Sequence, residues 1–348
     1  MRRSIALMSS LMLAAGLCGA GSNDERETLM KKGVEQHDAG SYKAAIETFQ
    51  QILESNPRDA SALYEISNSY LSLGDFKNCL DFAQRSLAIQ GAAYTYSMVA
   101  SCQDELGDAK GALETFEKAM QHYPGDVMLN FNYAVTLIRE NRPEEAKPHL
   151  QTAIKADPRY GSPFYVYANV LEAQQNPVGA FYLWLRFLTL EPASQRSHEV
   201  AQDIYALVSP AREGDASSST PVTLKAGSMA KRDEFPAELA MMRPFFHVSV
   251  KKDGGDKSAA PTPAATFVSS AKVLLGLFRK TINDNSSDLR SFEWQNSGVP
   301  LMELDRKKLT EPFLYYVAAL ANVEGAREWL KDHTTEFDGL KQYLTKRD

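Results

Sequence analysis

An all-α solenoid of stacked helix-turn-helix units is the fold this sequence predicts, and two observations predict it. Ala112, Ala146 and Ala180 recur at intervals of 34 residues, and so do Pro124, Pro158 and Pro192. Self-similarity at that period marks a unit too small to bury its own apolar face. Five such units, from about Arg26 to Pro192, must therefore pile into a right-handed stack. Past Pro192 the apolar spacing stays helical but no longer repeats, which adds a small helical domain.

Each unit should carry a small residue where its two helices touch and a turn residue between them. A large apolar residue follows one turn into the second helix, and a proline ends it. The first unit has Gly33, Gly40, Ala45, Phe49 and Pro57, and the third has Ala100, Gly107, Ala112, Phe116, Ala119 and Pro124. The fourth has Ala134, Ala146, Leu150, Ala153 and Pro158, and the fifth Ala168, Ala180, Trp184 and Pro192. The second is looser, with Gly74, Cys79, Ala83 and, in place of proline, Gly91. This pattern resembles the tetratricopeptide repeat (TPR) over nearly half the chain. The resemblance implies a right-handed TPR superhelix of five repeats, and binding of peptides or scaffolding of complexes rather than catalysis.

The N-terminus reads as a targeting signal over residues 1–20. Arg2 and Arg3 precede an apolar run from Ile5 to Leu17, then the small residues Cys18, Gly19 and Ala20. Cleavage after Ala20 fits this order. Retention of Cys18 as an acylated first residue is the alternative, but that chemistry wants a small residue before the cysteine, and Leu17 is bulky. The run covers only about 20 Å as a helix against a hydrocarbon core of about 30 Å. The mature chain is expected to be soluble and exported, to the periplasm or the exterior. Losing the signal removes two of 38 basic residues, set against 44 acidic ones, and takes the formal charge from −6 to about −8. That balance argues against nucleic acid as a partner.

Only Cys79 and Cys102 follow the signal. Antiparallel neighbouring helices place them at similar height, so a disulfide is conceivable and export would favour it. The reading adopted is that both are free and pack as small buried residues, like the alanines of other units.

Residues 194–208, with Val200, Ile204, Tyr205 and Leu207 on one side, predict a helix that caps the open end of the stack, so the solenoid spans 26–208. Residues 209–220 suit a linker, and 221–348 a C-terminal helical domain with a disordered or loop-like insert near 251–263. Within it, Phe267, Ala271, Leu274, Phe278 and Ile282 make one face of a helix. Thr310 is expected to N-cap a second, with Phe313, Val317 and Leu320 inward. Two more helices carry Ala326, Trp329 and Leu330, and Phe337, Leu340 and Leu344. Trp294, Pro300, Tyr315, Tyr316 and Trp329 resemble the tail of exported bacterial repeat proteins without an assigned activity.

The repeat register also locates a candidate site. At 100° per residue, positions 2, 5, 9, 12 and 13 of each unit share the side of the first helix opposite the buried positions 4, 7, 8 and 11. In the TPR family that stripe lines the concave surface. Here it supplies Tyr64, Asn68, Tyr94, Ser97, Met128, Phe131, Tyr165 and Asn169, flanked by Asn132. Aromatic faces bury apolar side chains and asparagine amides satisfy an extended backbone, a combination suited to peptide recognition. Family members that grip a C-terminal carboxylate use lysine and arginine there. The first unit offers only Lys31 and the fourth only Arg139, so such a clamp is not expected.

Catalytic signals are poor. The histidines at 37, 122, 149, 198, 247 and 333 lack metal-ligand spacing, and there is no HExxH, no GxSxG and no phosphate-cradling glycine loop. His247 reads as structural, and the Asn-Ser-Ser triplet at Asn285 matters only in a glycosylating pathway. Glu311, Glu328, Asp332, Glu336 and Asp338 alternate with Lys307, Lys308, Arg327, Lys331 and Lys341, as on a solvated helix surface. The expectation is a non-enzymatic adaptor without cofactor or metal, binding a protein or peptide of the cell envelope. A self-assembling envelope protein and an enzyme active in the C-terminal domain are the alternatives.

The signal-peptide reading predicts that N-terminal sequencing of the mature protein begins at or near Gly21. An intact Met1 on protein from the cytosolic fraction would contradict it.

Overall fold

The structure, a computed structural model, describes residues 24–208, 261–284 and 294–345. The signal, the linker, most of the expected insert, His247 and Asn285 lie outside the described residues. Among the described residues all regular structure is helical. The five repeats are α1 (24–38) with α2 (Tyr42–Ser55), α3 (Ala60–Leu73) with α4 (Phe76–Ile89), and α5 (Ala93–Glu105) with α6 (Ala109–Met120). Then come α7 (Val127–Arg139) with α8 (Pro143–Ala156) and α9 (Gly161–Ala173) with α10 (Pro177–Leu190). There follow α11 (Gln195–Val208), α12 (Pro263–Asp284), a π-helical turn (Trp294–Gly298), α13 (Val299–Arg306), α14 (Thr310–Leu320), α15 (Ala326–Asp332) and α16 (Thr334–Thr345).

The turn inside each repeat is set by backbone conformation. Gly40, Gly74 and Gly107 hold φ of 75°, 74° and 82°, and the equivalent residues of the last two repeats, Asn141 and Gln175, hold 57° and 60°. A left-handed residue there lets the chain leave one helix and begin the next at once. The next helix then starts on a side-chain cap in three of the five repeats: Asp75, Asp108 and Asn176 accept from the backbone N–H of Asn78, Gly111 and Gly179.

The chain divides into two compact units, residues 1–149 and 150–348. In the first, the two helices of a repeat meet at small residues. Ala45, Cys79, Ala112 and Ala146 are wholly buried, as are Ser67, Ala100 and Ala134 on the opposing helices. At Gly33 a Cβ would come within 2.3 Å of the Phe49 ring, so only hydrogen fits there. Phe49 and Phe116 fill the space beyond these contacts.

Cys79 and Cys102 are bonded, with their Cα atoms 5.8 Å apart, which corrects the expectation of free thiols. Cys79 stands at the small-residue position of α4 and Cys102 faces it from α5. The next repeat's first helix thus reaches the contact that elsewhere belongs to one repeat. The Ser67 hydroxyl donates to the Cys79 carbonyl oxygen at 2.9 Å beside the bridge.

In the second unit, α10 is apolar all round. Ala180 to Leu185, Phe187 and Leu188 are all buried, as befits a helix covered on every side. It packs against α9, against α11, and against the π turn and α13. α11 also touches α12 and α14, where Tyr205 lies 5.6 Å from Phe267, and Val200, Ile204 and Val208 are fully buried. Tyr315, Trp329 and His333 stack in one column, with ring centroids 4.0 and 3.9 Å apart. Phe313, Val317, Leu320, Ala326, Leu330 and Leu340 point inward as expected. Thr310 is the first residue of α14 and not its cap, because the helix begins one residue earlier than the cap reading requires, and its buried hydroxyl has no partner.

Titration of denatured, unreduced protein should find no free thiol at Cys79 or Cys102. Reduction should lower stability by about 3 kcal/mol for a loop of this length in the chain-entropy model. Two titratable thiols in the untreated chain would show that the bridge does not form.

Candidate functional site

With small residues setting the pairs, the first helices of successive repeats lie beside one another, α3 against α5 and α5 against α7. Asp59 and Asp126 cap α3 and α7 through the N–H groups of Ala62 and Leu129. Asp59 is nearly buried and paired with Arg26. Burial pushes its carboxyl up, but the Arg26 hydrogen bonds and the Ala62 N–H outweigh that and leave it below the ordinary carboxylate value.

The predicted residues of the first unit share this face but differ in role. Tyr64 and Tyr94 meet edge to face, centroids 4.9 Å apart, and Tyr94 remains 37% exposed. Met128 is 47% exposed, and Phe131 is half-buried. Ser97 is buried and accepts a 2.7 Å hydrogen bond from Asn132, tying α5 to α7, so this pair braces the face. Asn68 donates to His37 Nε2 at 3.4 Å, and His37 Nδ1 lies 3.0 Å from the Ser69 hydroxyl. In the second unit, Asn169 accepts from Trp184 Nε1 at 3.0 Å. Tyr165 packs 5.4 Å from Phe187, with the Arg196 guanidinium 5.3 Å from its ring.

A cleft of about 380 Å³ opens in this face of the first unit, lined by Leu71, Phe76, Ser101, Asp104, Glu105, Asn132, Val135, Thr136 and Arg139. Of these, sequence reasoning named only Asn132 and Arg139. The signal was available, since Leu71, Ser101, Asp104, Glu105, Val135 and Arg139 occupy positions 9, 12 and 13 of the same stripe. Arg139 donates to Asp104 at 2.8 Å and to Glu105 at 2.7 Å, so it is already committed to carboxylates. These bonds raise its pKa, led by that to Glu105. Lys31 is highly exposed, 4.0 Å from Glu35. Glu65 sits half-buried on the same face, and burial raises its pKa; the Asn68 hydrogen bond opposes this and the Asp38 charge adds to it.

Two family models match the chain, both described as tetratricopeptide repeat, over residues 31–94 and 105–180. The chain is a tetratricopeptide repeat protein. Among solved structures, this TPR protein is similar to a thermophilic TPR protein of Thermus thermophilus, at 18% identity and TM-score 0.47, over 51% of this chain and 98% of that one. It is similar to PilF of Pseudomonas aeruginosa, at 17% and 0.46, over 54% and 83%. It is also similar to YrrB, described as a TPR protein with an unusual peptide-binding site, at 18% and 0.37, over 51% and 89%. No curated protein matches. TPR architecture is that of a protein-interaction scaffold, and repeats of this family are generally not catalytic. Among the described residues, no His, Cys, Asp or Glu group is arranged to hold a metal ion, and no helix is long and apolar enough to cross a membrane.

The raised Glu65 pKa means that the folded state holds this proton more tightly than the unfolded chain. Ionised Glu65 therefore costs stability once pH exceeds the unfolded carboxylate value, and costs nothing below it. Glu65→Gln should raise the melting temperature at pH 7, and the gain should vanish near pH 4. A gain of equal size at both pH values would contradict this electrostatic account.

Proposed function

We propose that the protein is an exported, non-enzymatic scaffold that holds an extended segment of an envelope protein across the face formed by its first helices. The observation that carries this reading is the cleft between α3, α5 and α7. Tyr94 and Met128 stand exposed at the starts of α5 and α7, the helices whose later turns line the cleft and which the Asn132–Ser97 hydrogen bond ties together. Tyr94 and Met128 are largely free of helix packing, so they can meet a ligand at little cost to the fold. Tyr64, Tyr94, Met128 and Phe131 supply apolar contacts, and Asn68 adds an amide to the same face of the first unit. Export is supported by the N-terminal sequence and by the Cys79–Cys102 bridge, since disulfides persist in oxidising compartments. The helices after residue 260 pack on α10 and α11 and so cover the apolar last repeat.

The test uses immobilised nine-residue peptides of random sequence. Tyr94→Ala and Phe131→Ala should each lose about tenfold or more in affinity for the peptides that bind, a hot-spot loss of roughly 1.4 kcal/mol or more, with melting temperature maintained. Lys110, 89% exposed and paired only with Glu114 along its own helix, is the control and should change nothing. Unchanged affinity in both aromatic variants would reject this face as the site.

A further inference from the structure

We propose that the cleft between α3, α5 and α7 receives a lysine or arginine side chain of the bound segment, so that the scaffold selects basic peptides. This rests on the peptide-binding reading above and specifies its ligand. The cleft has two chemically distinct parts. Leu71, Phe76 and Val135 give it an apolar wall, and Asp104 and Glu105 stand beside them.

Charge at these carboxylates is only half answered from within the protein. One nitrogen, Arg139 Nη1, serves both: it donates to Asp104 Oδ2 and to Glu105 Oε1. The Thr136 hydroxyl also donates to Asp104 Oδ2, at 3.1 Å. Asp104 Oδ1 and Glu105 Oε2 have no side-chain donor among the described residues. Two negative charges against one positive leave a net charge of about −1, held where Asp104 is only 9% exposed and water screens poorly. Glu65 of the same face feels the further negative charge of Asp38. A basic side chain answers both parts of the cleft together, its aliphatic stem on Leu71, Phe76 and Val135 and its head at the open carboxylate oxygens. An acidic segment would meet repulsion there, and a purely apolar one would strip water from the carboxylates without replacing it.

Full-length mature protein is titrated with pools of nine-residue peptides, random except for a fixed central lysine, arginine, phenylalanine or glutamate. The lysine and arginine pools should bind about tenfold more tightly than the glutamate pool, and the difference should shrink in roughly 0.5 M salt. Asp104→Asn with Glu105→Gln should remove most of that preference while leaving the phenylalanine pool bound. Glu105→Gln alone, at an exposed position, should remove part of it and guards against misfolding of the double variant. Arg139→Gln should raise affinity for the lysine pool a few-fold by freeing both carboxylates. Equal binding of the lysine and glutamate pools, or a basic preference that survives in both carboxylate variants, would overturn this proposal and leave the peptide-binding reading standing. Absence of binding to every pool would overturn both.

Discussion

Everything in this fold hangs on the close approach of two helices at a pair of small residues. Packing distance between helices is set by the side chains at the contact. Where Gly33 faces Phe49 even a methyl group would displace a neighbour, and where Ala100 and Ala112 stand buried in one repeat nothing larger than a methyl fits. That approach fixes the angle within each pair, and the left-handed turn residue fixes its direction. The stripe on the opposite side of each first helix is thereby left out of that close contact. Side chains can change at many of these positions while the stack is preserved, which is why the proposed site falls there.

The second repeat shows what happens when the small residue is a cysteine. Cys79 meets the packing demand as an alanine would, yet its sulfur can also reach the next repeat, and Cys102 is placed to meet it. The bridge ties α4 to α5. Both helices line the cleft, α4 through Phe76 at its start and α5 through Ser101, Asp104 and Glu105 near its end. A covalent tie across that joint restrains two walls of the cleft, and for the binding proposed there such restraint removes conformational cost.

Much of this was legible in the sequence, for physical reasons that differ by element. The period of 34 exposes repeat boundaries because each repeat solves the same packing problem with the same residue types. The left-handed turns of the first three repeats announce themselves as glycine, whereas Asn141 and Gln175 adopt the same conformation without that signature. The disulfide was misread because a buried cysteine and a bridged one satisfy the same packing rule, and only three-dimensional distance separates them. Asn132 and Asn169 carry the right chemistry for a peptide ligand, but their amides are engaged by Ser97 and Trp184. Nothing in a helical register tells an amide facing a ligand from one bracing its neighbour.

The last repeat illustrates a further limit of periodic reading. Its second helix runs Ala-Phe-Tyr-Leu-Trp-Leu-Arg-Phe-Leu, too apolar for a helix with one side in water, and the excess is itself information. The structure covers that side with α11, the π turn and α13, so the C-terminal helices answer a need created by α10. Arg186, the one charged residue in that run, keeps its guanidinium by donating to the Pro158 carbonyl oxygen and to Thr189, although burial pulls its pKa down. Its Nε has no partner, an energetic cost that an open solenoid end would not carry, because water would reach it. The last repeat and the helices after it are thus joined by a shared core, and the apolar run in α10 is where the chain first declares it.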